Sequence, residues 1–378
     1  RTKVFNPKRL MLAAVKLGYE DAYESPISAD GFTFLHMMDE ILKHLDEMGV
    51  NESEIDINDQ RVASVPKIDP VDVDVFSEYN WTLREEQKGS INAVLEHEQG
   101  IVELGTAGGK SLIMAGLCQL YSDSLPSITV TDNGDLVDQL KETYESLGLN
   151  VVNLKKVKPA NRAAVFDEHC HVIMTNKLLT NCLDVIPDDY QGVFLYDEVH
   201  IFGEKAAHVI QQKLGDCPIR VGFTGTLTDS SVDPIKRLSI LNHIGGDVLI
   251  NIGVRELREA GHVANFHVEV IQIDDQIGRK KQDRLIAHDL WDWENENKHL
   301  STCAERAKVV ADFIRQELDG QNTLVLTRPQ FGKLLAKALD VPFIDKDAKN
   351  RKQYYDQFEE VDDMLLVATY GTVGTGIS

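Results

Sequence analysis

The segment Ile101-Val-Glu-Leu-Gly-Thr-Ala-Gly-Gly-Lys-Ser111 joins an apolar run to the helix-compatible stretch Leu112 to Leu120 through a glycine-rich turn. A strand, a glycine-rich loop and a helix start, in that order, let backbone N–H groups converge on a phosphate. Glycine has no Cβ to hold the anion away, and the first turn of a helix leaves its donors unpaired. In this reading Gly105, Thr106, Ala107, Gly108 and Gly109 form the cradle. Lys110 sets its ammonium against the β- and γ-phosphates of ATP, and Ser111 offers a hydroxyl to Mg2+. A bare Gly-Lys-Ser/Thr triplet arises by accident in about one chain in five of this length, so the flanking elements give the motif its weight.

A second group of chemically capable residues follows the apolar run Val193 to Tyr196: Asp197-Glu198-Val199-His200, 87 residues after Lys110. If that run is a parallel strand, both carboxylates sit at its carboxyl end, the edge where open α/β sheets bind ligands. Asp197 is then the second magnesium-holding group, and Glu198 orients and deprotonates an attacking water. The next run ends in Gly222-Phe-Thr-Gly-Thr-Leu227, and the hydroxyls of Thr224 and Thr226 are placed to bond His200 and pass on the state of the γ-phosphate. Upstream, Leu83-Arg-Glu-Glu-Gln87 offers Gln87, whose amide can both donate to and accept from the edge of adenine. Taken singly, these pieces read equally as a solvated helix start, a polar turn and a surface glutamine; their order along the chain distinguishes them.

The elements that must position these residues show in the hydrophobic pattern. From Trp81 onward short apolar runs (Ile101 to Leu104, Ile128 to Thr131, His171 to Met174, Val193 to Tyr196, Ile219 to Phe223) alternate with amphipathic stretches, the rhythm of a parallel sheet with crossover helices. An acidic, helical-looking stretch at 274 to 318 precedes further runs at Thr323 to Thr327, Val341 to Ile344 and Met364 to Thr369, which begin a second α/β domain. The first 80 residues differ. Phe34, Met37, Met38, Ile41, Leu42 and Leu45 recur at helical spacing over 33 to 48, and the Asp- and Pro-rich stretch Glu52 to Val75 reads as an extended acidic connector.

With its pieces in this order, the sequence resembles the superfamily 2 DNA helicases, and within them the UvsW and XPB-like branch, over about residues 81 to 378. The motifs carrying the resemblance are Gly105 to Ser111, the DEVH of Asp197 to His200, Thr224-Gly225-Thr226, Val254 to Val263, and Val367-Ala-Thr-Tyr-Gly-Thr-Val-Gly-Thr-Gly-Ile-Ser378. The fold class it implies is α/β: tandem RecA-like parallel-sheet domains, the second incomplete, preceded by a small N-terminal α+β remnant. The expected domains are 1–80 (accessory, with a DNA-binding role open to it), 81–262 (ATP-binding) and 263–378. The resemblance implies DNA contacts from Gln139, Thr175 and Thr369, and a nucleotide contact from Gly376. There are departures from the family pattern. Leu104 stands where the strict phosphate-loop pattern has glycine, Asp132-Asn133 replace a Pro-Thr pair, and Asn176-Lys177 follow Thr175. The motif carrying the arginine finger is expected beyond Ser378, so the chain is read as a fragment, weak or inactive as an ATPase by itself.

Bulk properties bound these readings. The 378 residues exceed one ordinary core, and no run of 18 or more apolar residues or leader pattern is visible, so a soluble, cytoplasmic protein of a bacterial or phage-infected cell is expected. The net charge of -22 opposes broad nucleic-acid binding and restricts DNA to a local basic groove and backbone donors. The partners expected are branched or duplex DNA and recombination or replication proteins, with no membrane. Five scattered cysteines form no CxxC pair, and His169-Cys170-His171 has no further ligand pair nearby, so neither a disulfide framework nor a metal site at these residues is expected. The alternatives are a motor subunit of a restriction or repair complex and a non-catalytic DNA-annealing or scaffolding module.

Overall fold

The computed structural model describes residues 65–373 except 133, 168–169, 202, 228–233, 264–269, 319, 349 and most of 271–291, and before them residues 2–3, 32–33, 38–47 and 49–50. The chain divides into two compact units, Arg1–Asn265 and Phe266–Ser378.

The first unit is built on a sheet of seven parallel strands: β1 (Gln99–Leu104), β2 (Ser127–Thr131), β3 (Val151–Asn153), β4 (His171–Thr175), β5 (Val193–Tyr196), β6 (Ile219–Thr224) and β7 (Val248–Ile252). Their order across the sheet is β3-β4-β2-β5-β6-β1-β7. Most of the strands are short runs rich in β-branched and aromatic residues, and both faces are covered, as parallel sheets require. Alternate side chains therefore enter different cores. On β1, Val102 and Leu104 join Ile91, Leu112, Ile113 and Leu117 on one face. Ile101 joins Ile128, Phe194, Tyr196 and Ile240 on the other.

After β1 the chain passes through helix α3 (Lys110–Leu120) to β2, which lies beyond β6 and β5 in the sheet. The carboxyl ends of β1, β6, β5 and β2 thus stand side by side, with registers Glu103↔Thr224, Tyr196↔Gly222 and Val130↔Tyr196. A reversal of strand order opens a crevice at such an edge. Helix α2 (Glu85–His97) precedes β1, and α4 (Gly134–Ser146) follows β2.

The later part of the expected connector is not a free linker. Val65, Ile68, Val71, Val73 and Val75 pack on the first core, and Asn92 of α2 clamps Val71 by accepting from its N–H at 2.8 Å and donating to its carbonyl at 3.0 Å. Of the helix expected at 33 to 48, Met38–Glu47 forms α1; Phe34 and Met37 lie outside the described residues.

The second unit contains α7 (Trp293–Thr302), α8 (Ala304–Glu317), β8 (Thr323–Thr327), α9 (Pro329–Leu339), β9 (Phe343–Ile344), α10 (Arg351–Glu360) and β10 (Leu365–Thr369). In the first unit, α5 (Pro234–Ile244) connects β6 to β7, and α6 (Val254–Glu259) follows β7. The three strands are parallel in the order β8-β10-β9. Ala311, Ile314, Leu335, Ala336, Leu339 and Val367 form the core of one face. Much of the acidic stretch expected to be helical lies outside the described residues; its later part is α7 and α8. Among the described residues no helix is long and apolar enough to cross a membrane. None of the cysteines is in a disulfide, and no cluster of metal-ligating side chains occurs among the described residues.

At the amino-terminal pole of the first sheet, buried Arg220 on β6 donates to the Ile244 carbonyl at 3.1 Å, to Gln99 Oε1 at 2.8 Å and to the Gly215 carbonyl. Replacing Arg220 with Met removes these donors and leaves buried acceptors unpaired, at a cost of about 3 kcal/mol. Urea unfolding of the Arg220→Met protein should show the first unit's transition shifted to lower denaturant by that amount. An unshifted midpoint would remove this anchor from the account.

Candidate functional site

The loop after β1 turns by a hydrogen bond from the Gly108 N–H to the Gly105 carbonyl at 3.0 Å, and Ala107 takes a φ of 64°. Gly109, at φ +79°, stands directly before α3, and a Cβ there would lie 2.1 Å from Gln87 Nε2. A Cβ on Gly108 would lie 2.3 Å from Leu104 Cγ. Side chains are excluded at both positions by what surrounds them, so the loop presents backbone. Thr106, Ala107 and Ser111 are exposed.

Arg84, directly before α2, and Gln87, in its first turn, brace the loop. Arg84 donates to the Ala107 carbonyl at 3.0 Å, and its Nε pairs with Glu86 at 3.1 Å. Gln87 is buried, with Oε1 accepting from the Arg84 N–H at 2.9 Å and Nε2 directed at the Gly108 carbonyl at 3.4 Å. Both ends of the Gln87 amide are thus engaged with protein, and here it positions the loop.

Lys110 opens α3. Its Nζ lies 3.4 Å from the Leu104 carbonyl and 3.4 Å from Glu198 Oε1. Glu198 takes a φ of 49°, a left-handed conformation unusual for a residue with a side chain, and so turns the chain sharply after β5. Its other oxygen, Oε2, is 3.3 Å from His200 Nδ1, which in turn is 3.0 Å from Thr224 Oγ1. Thr224 Oγ1 also accepts from the Thr226 N–H at 3.2 Å. A continuous line of contacts thus runs Lys110, Glu198, His200, Thr224 across three strand ends.

Asp197 sits one residue earlier, at the end of β5. Its Oδ1 accepts from the Glu198 N–H at 3.0 Å, and Thr131 Oγ1 points to Oδ2 at 3.4 Å. Burial and then the neighbouring negative charge of Glu198 push its pKa up to about 6, against the opposing pull of Lys110 and the hydrogen bonds.

The structure therefore brings together Gly105 to Ser111, Gln87, Asp197, Glu198, His200, Thr224 and Thr226 at one sheet edge. Thr175 ends β4 beside Thr131 and caps the following short helix by accepting from the Leu178 N–H at 3.3 Å. Gln139 is exposed on α4. Thr369 belongs to the second unit, buried with its hydroxyl 2.6 Å from that of Thr372, and Gly376 lies outside the described residues. His169 also lies outside them, while Cys170 donates to the Val165 carbonyl at 3.1 Å and His171 Nδ1 meets Ser127 Oγ at 2.8 Å. Sequence reasoning missed two contributors. Arg84 carried a signal in its position within the Gln87 segment. Thr131 carried one only as the last residue of a strand whose place beside β5 the sequence does not reveal.

Asp197 supplies a stability test. Its carboxyl is harder to ionise in the folded chain than in the unfolded one. Stability is therefore highest when the group is protonated in both states, and is lost as pH rises from the ordinary carboxylate range through about 6. Metal-free Asp197→Asn protein should melt at a higher temperature than the parent above pH 6, with the gain shrinking as pH falls toward 4. Scanning calorimetry across that window checks it, and a gain that grows on acidification would contradict the assignment.

A family model described as the type III restriction enzyme res subunit matches residues 80–229. The curated ATP-dependent DNA helicase UvsW of Enterobacteria phage T4 is 22% identical over 312 residues, covering 77% of this chain and 59% of that protein. The chain thus spans less than two thirds of that relative. Among solved structures, T4 UvsW aligns with 94% of this chain and 72% of its own at 15% identity and a TM-score of 0.43. The Pyrococcus furiosus Hef helicase domain aligns with 75% and 85% at 11% identity and a TM-score of 0.48. The res-subunit match thus spans the phosphate loop and the acidic pair, and the similarity to UvsW runs along most of this chain.

Proposed function

We propose that this chain is the motor part of an ATP-dependent DNA helicase or translocase, with ATP and Mg2+ bound by the first unit. The observation that carries the reading is the contact of Lys110 with Glu198 beside Asp197, at the mouth of a loop whose surroundings exclude side chains at Gly108 and Gly109. The donor set fits a magnesium nucleotide. The exposed Ser111 hydroxyl and the Asp197 carboxylate, held by one long side-chain contact, are the groups that would hold the metal, which when bound supplies positive charge to the phosphate oxygens.

A triphosphate entering the loop competes with Glu198 for the Lys110 ammonium. Lys110 then neutralises phosphate charge, and the released Glu198 is free to orient a water and take its proton. His200, whose Nδ1 faces both Glu198 Oε2 and Thr224 Oγ1, carries that change of partner to the end of β6. We assign DNA contacts to Thr175, Gln139 and Thr369, and a nucleotide contact to Gly376. Residues 81–262 and 263–378 are the proposed RecA-like halves. Branched DNA in recombination or repair is the proposed substrate. The res-subunit match favours one other reading, a motor subunit of a restriction complex, which shares all of this chemistry. A purely scaffolding module predicts no nucleotide dependence at all.

Lys110→Ala removes the charge that meets the phosphates and should weaken nucleotide binding at least about tenfold. Calorimetric titration with ATP and Mg2+ measures this, and unchanged affinity would sink the phosphate-loop assignment. Glu198→Gln keeps the size of the side chain and loses its basicity. It should leave nucleotide affinity within a few-fold of the parent while slowing hydrolysis about 10² to 10⁴-fold. Turnover close to the parent's in a steady-state phosphate-release assay would show that Glu198 is not the base.

A further inference from the structure

The second unit has a cleft of about 550 Å3 for which the nucleotide chemistry above has no use. It lies where β8 ends, among α7, α8 and α9. Trp293, the first residue of α7, is 70% exposed, and Tyr370, directly after β10, is 60% exposed. Large aromatic groups left this open are unusual, and here both line one cleft.

Each arginine of the cleft lies over an aromatic ring. The Arg328 guanidinium carbon is 5.8 Å from the centre of the Trp293 ring, and Arg328 also donates to Asn297 Oδ1. The Arg306 guanidinium carbon is 5.5 Å from the centre of the Phe331 ring, and its Nε is buried with no hydrogen-bond partner among the described residues. The cleft therefore offers two guanidinium groups and flat aromatic faces, with Glu296 the one carboxylate among the described residues that line it. In a chain of net charge -22 this is a local reversal of sign.

An occupant must bring a flat face for Trp293 and negative charge for the arginines, and its size must suit a pocket within the range of small-ligand sites. A cation is repelled by the two arginines, and an aliphatic chain makes no use of them. A base attached to a phosphodiester backbone meets both demands: stacking on an aromatic ring serves every base, and guanidinium groups pair with phosphate. We propose that this cleft takes an unpaired base of a single-stranded DNA segment, stacked on Trp293 beside Arg328. The proposal rests on the reading of the chain as a DNA motor and adds to it a site that grips the base as well as the backbone.

The test uses the whole chain and two fluorescent oligonucleotides of equal length and charge, oligothymidylate and its abasic counterpart, followed by anisotropy. The parent should bind oligothymidylate about tenfold more tightly than the abasic strand, the scale of one stacked base. Trp293→Ala should lose that preference while its affinity for the abasic strand stays as it was. Trp293→Phe, which keeps an aromatic face, should retain most of it. Because Trp293 is exposed, neither substitution removes core packing. Equal affinity of the parent for both strands, or an undiminished preference in Trp293→Ala, overturns the proposal and leaves the motor reading standing on its backbone contacts. Absence of binding to either strand overturns it together with the DNA part of that reading.

Discussion

Lys110 holds one ammonium 3.4 Å from both a carbonyl of β1 and the Glu198 carboxylate that follows β5, two strands away. At that distance, with an effective dielectric constant of about 20, the charge attraction is about 5 kcal/mol before desolvation is subtracted. The arrangement depends on the sheet. Only because β6 alone separates β1 from β5, with all three parallel and in register, do the loop and the acidic pair face each other. Asp197, one residue before, shares the desolvation without sharing the lysine contact, and its raised pKa follows. The site thus holds negative charge at a free-energy cost, which a divalent cation or a proton relieves.

The central strands and the chemical residues were legible in the sequence for the same reason. A strand buried on both faces must be almost wholly apolar, so Ile128 to Thr131, Val193 to Tyr196 and Ile219 to Phe223 stood out, and the polar residues immediately after them were conspicuous. The edge strands were not. Val151–Asn153 is three residues long, and Val248–Ile252 is only half-buried, so neither carries a continuous apolar signal. Residues 65–75 were misleading for a different reason. Their Asp and Pro content resembles a solvated linker, but the alternate valines Val71, Val73 and Val75 face the core, a period-two pattern that charged neighbours obscured. Thr131 and the braced state of Gln87 were illegible because both depend on which segments lie side by side, which is a property of strand order and not of local composition.

The charge balance is read differently once the structure is known. A net charge of -22 spread over the surface repels a polyanion at long range, and screening limits that repulsion to roughly 8 Å at physiological ionic strength. On the proposed reading, binding then depends on short-range chemistry: backbone donors in the phosphate loop, hydroxyls at strand ends, and guanidinium groups held against aromatic rings. Arg84, Arg306 and Arg328 all have their guanidinium groups fixed by protein contacts. That fixing lowers the entropy cost of presenting charge to a ligand. A few oriented cations can therefore act where a diffuse basic surface is missing.

In both units these groups occupy the same kind of place. Gly105, Asp197, Thr224 and Thr226 stand at or just past the carboxyl ends of β1, β5 and β6. Arg328 and Tyr370 follow β8 and β10, neighbours paired in register through Thr327↔Thr369. The faces of each sheet are closed by helices and apolar side chains, and any polar group there would be buried at a cost of several kcal/mol unless paired. The strand ends escape this constraint, because the residue after the last ladder bond can point its side chain and backbone N–H outward while its predecessor stays locked in the core. Rigid support and an exposed polar group thus meet at one residue, and in a sheet covered on both sides the carboxyl edge is where that combination recurs. The recurrence of outward-pointing polar and aromatic side chains at these ends follows from the way each sheet is sealed, independently of what either unit binds.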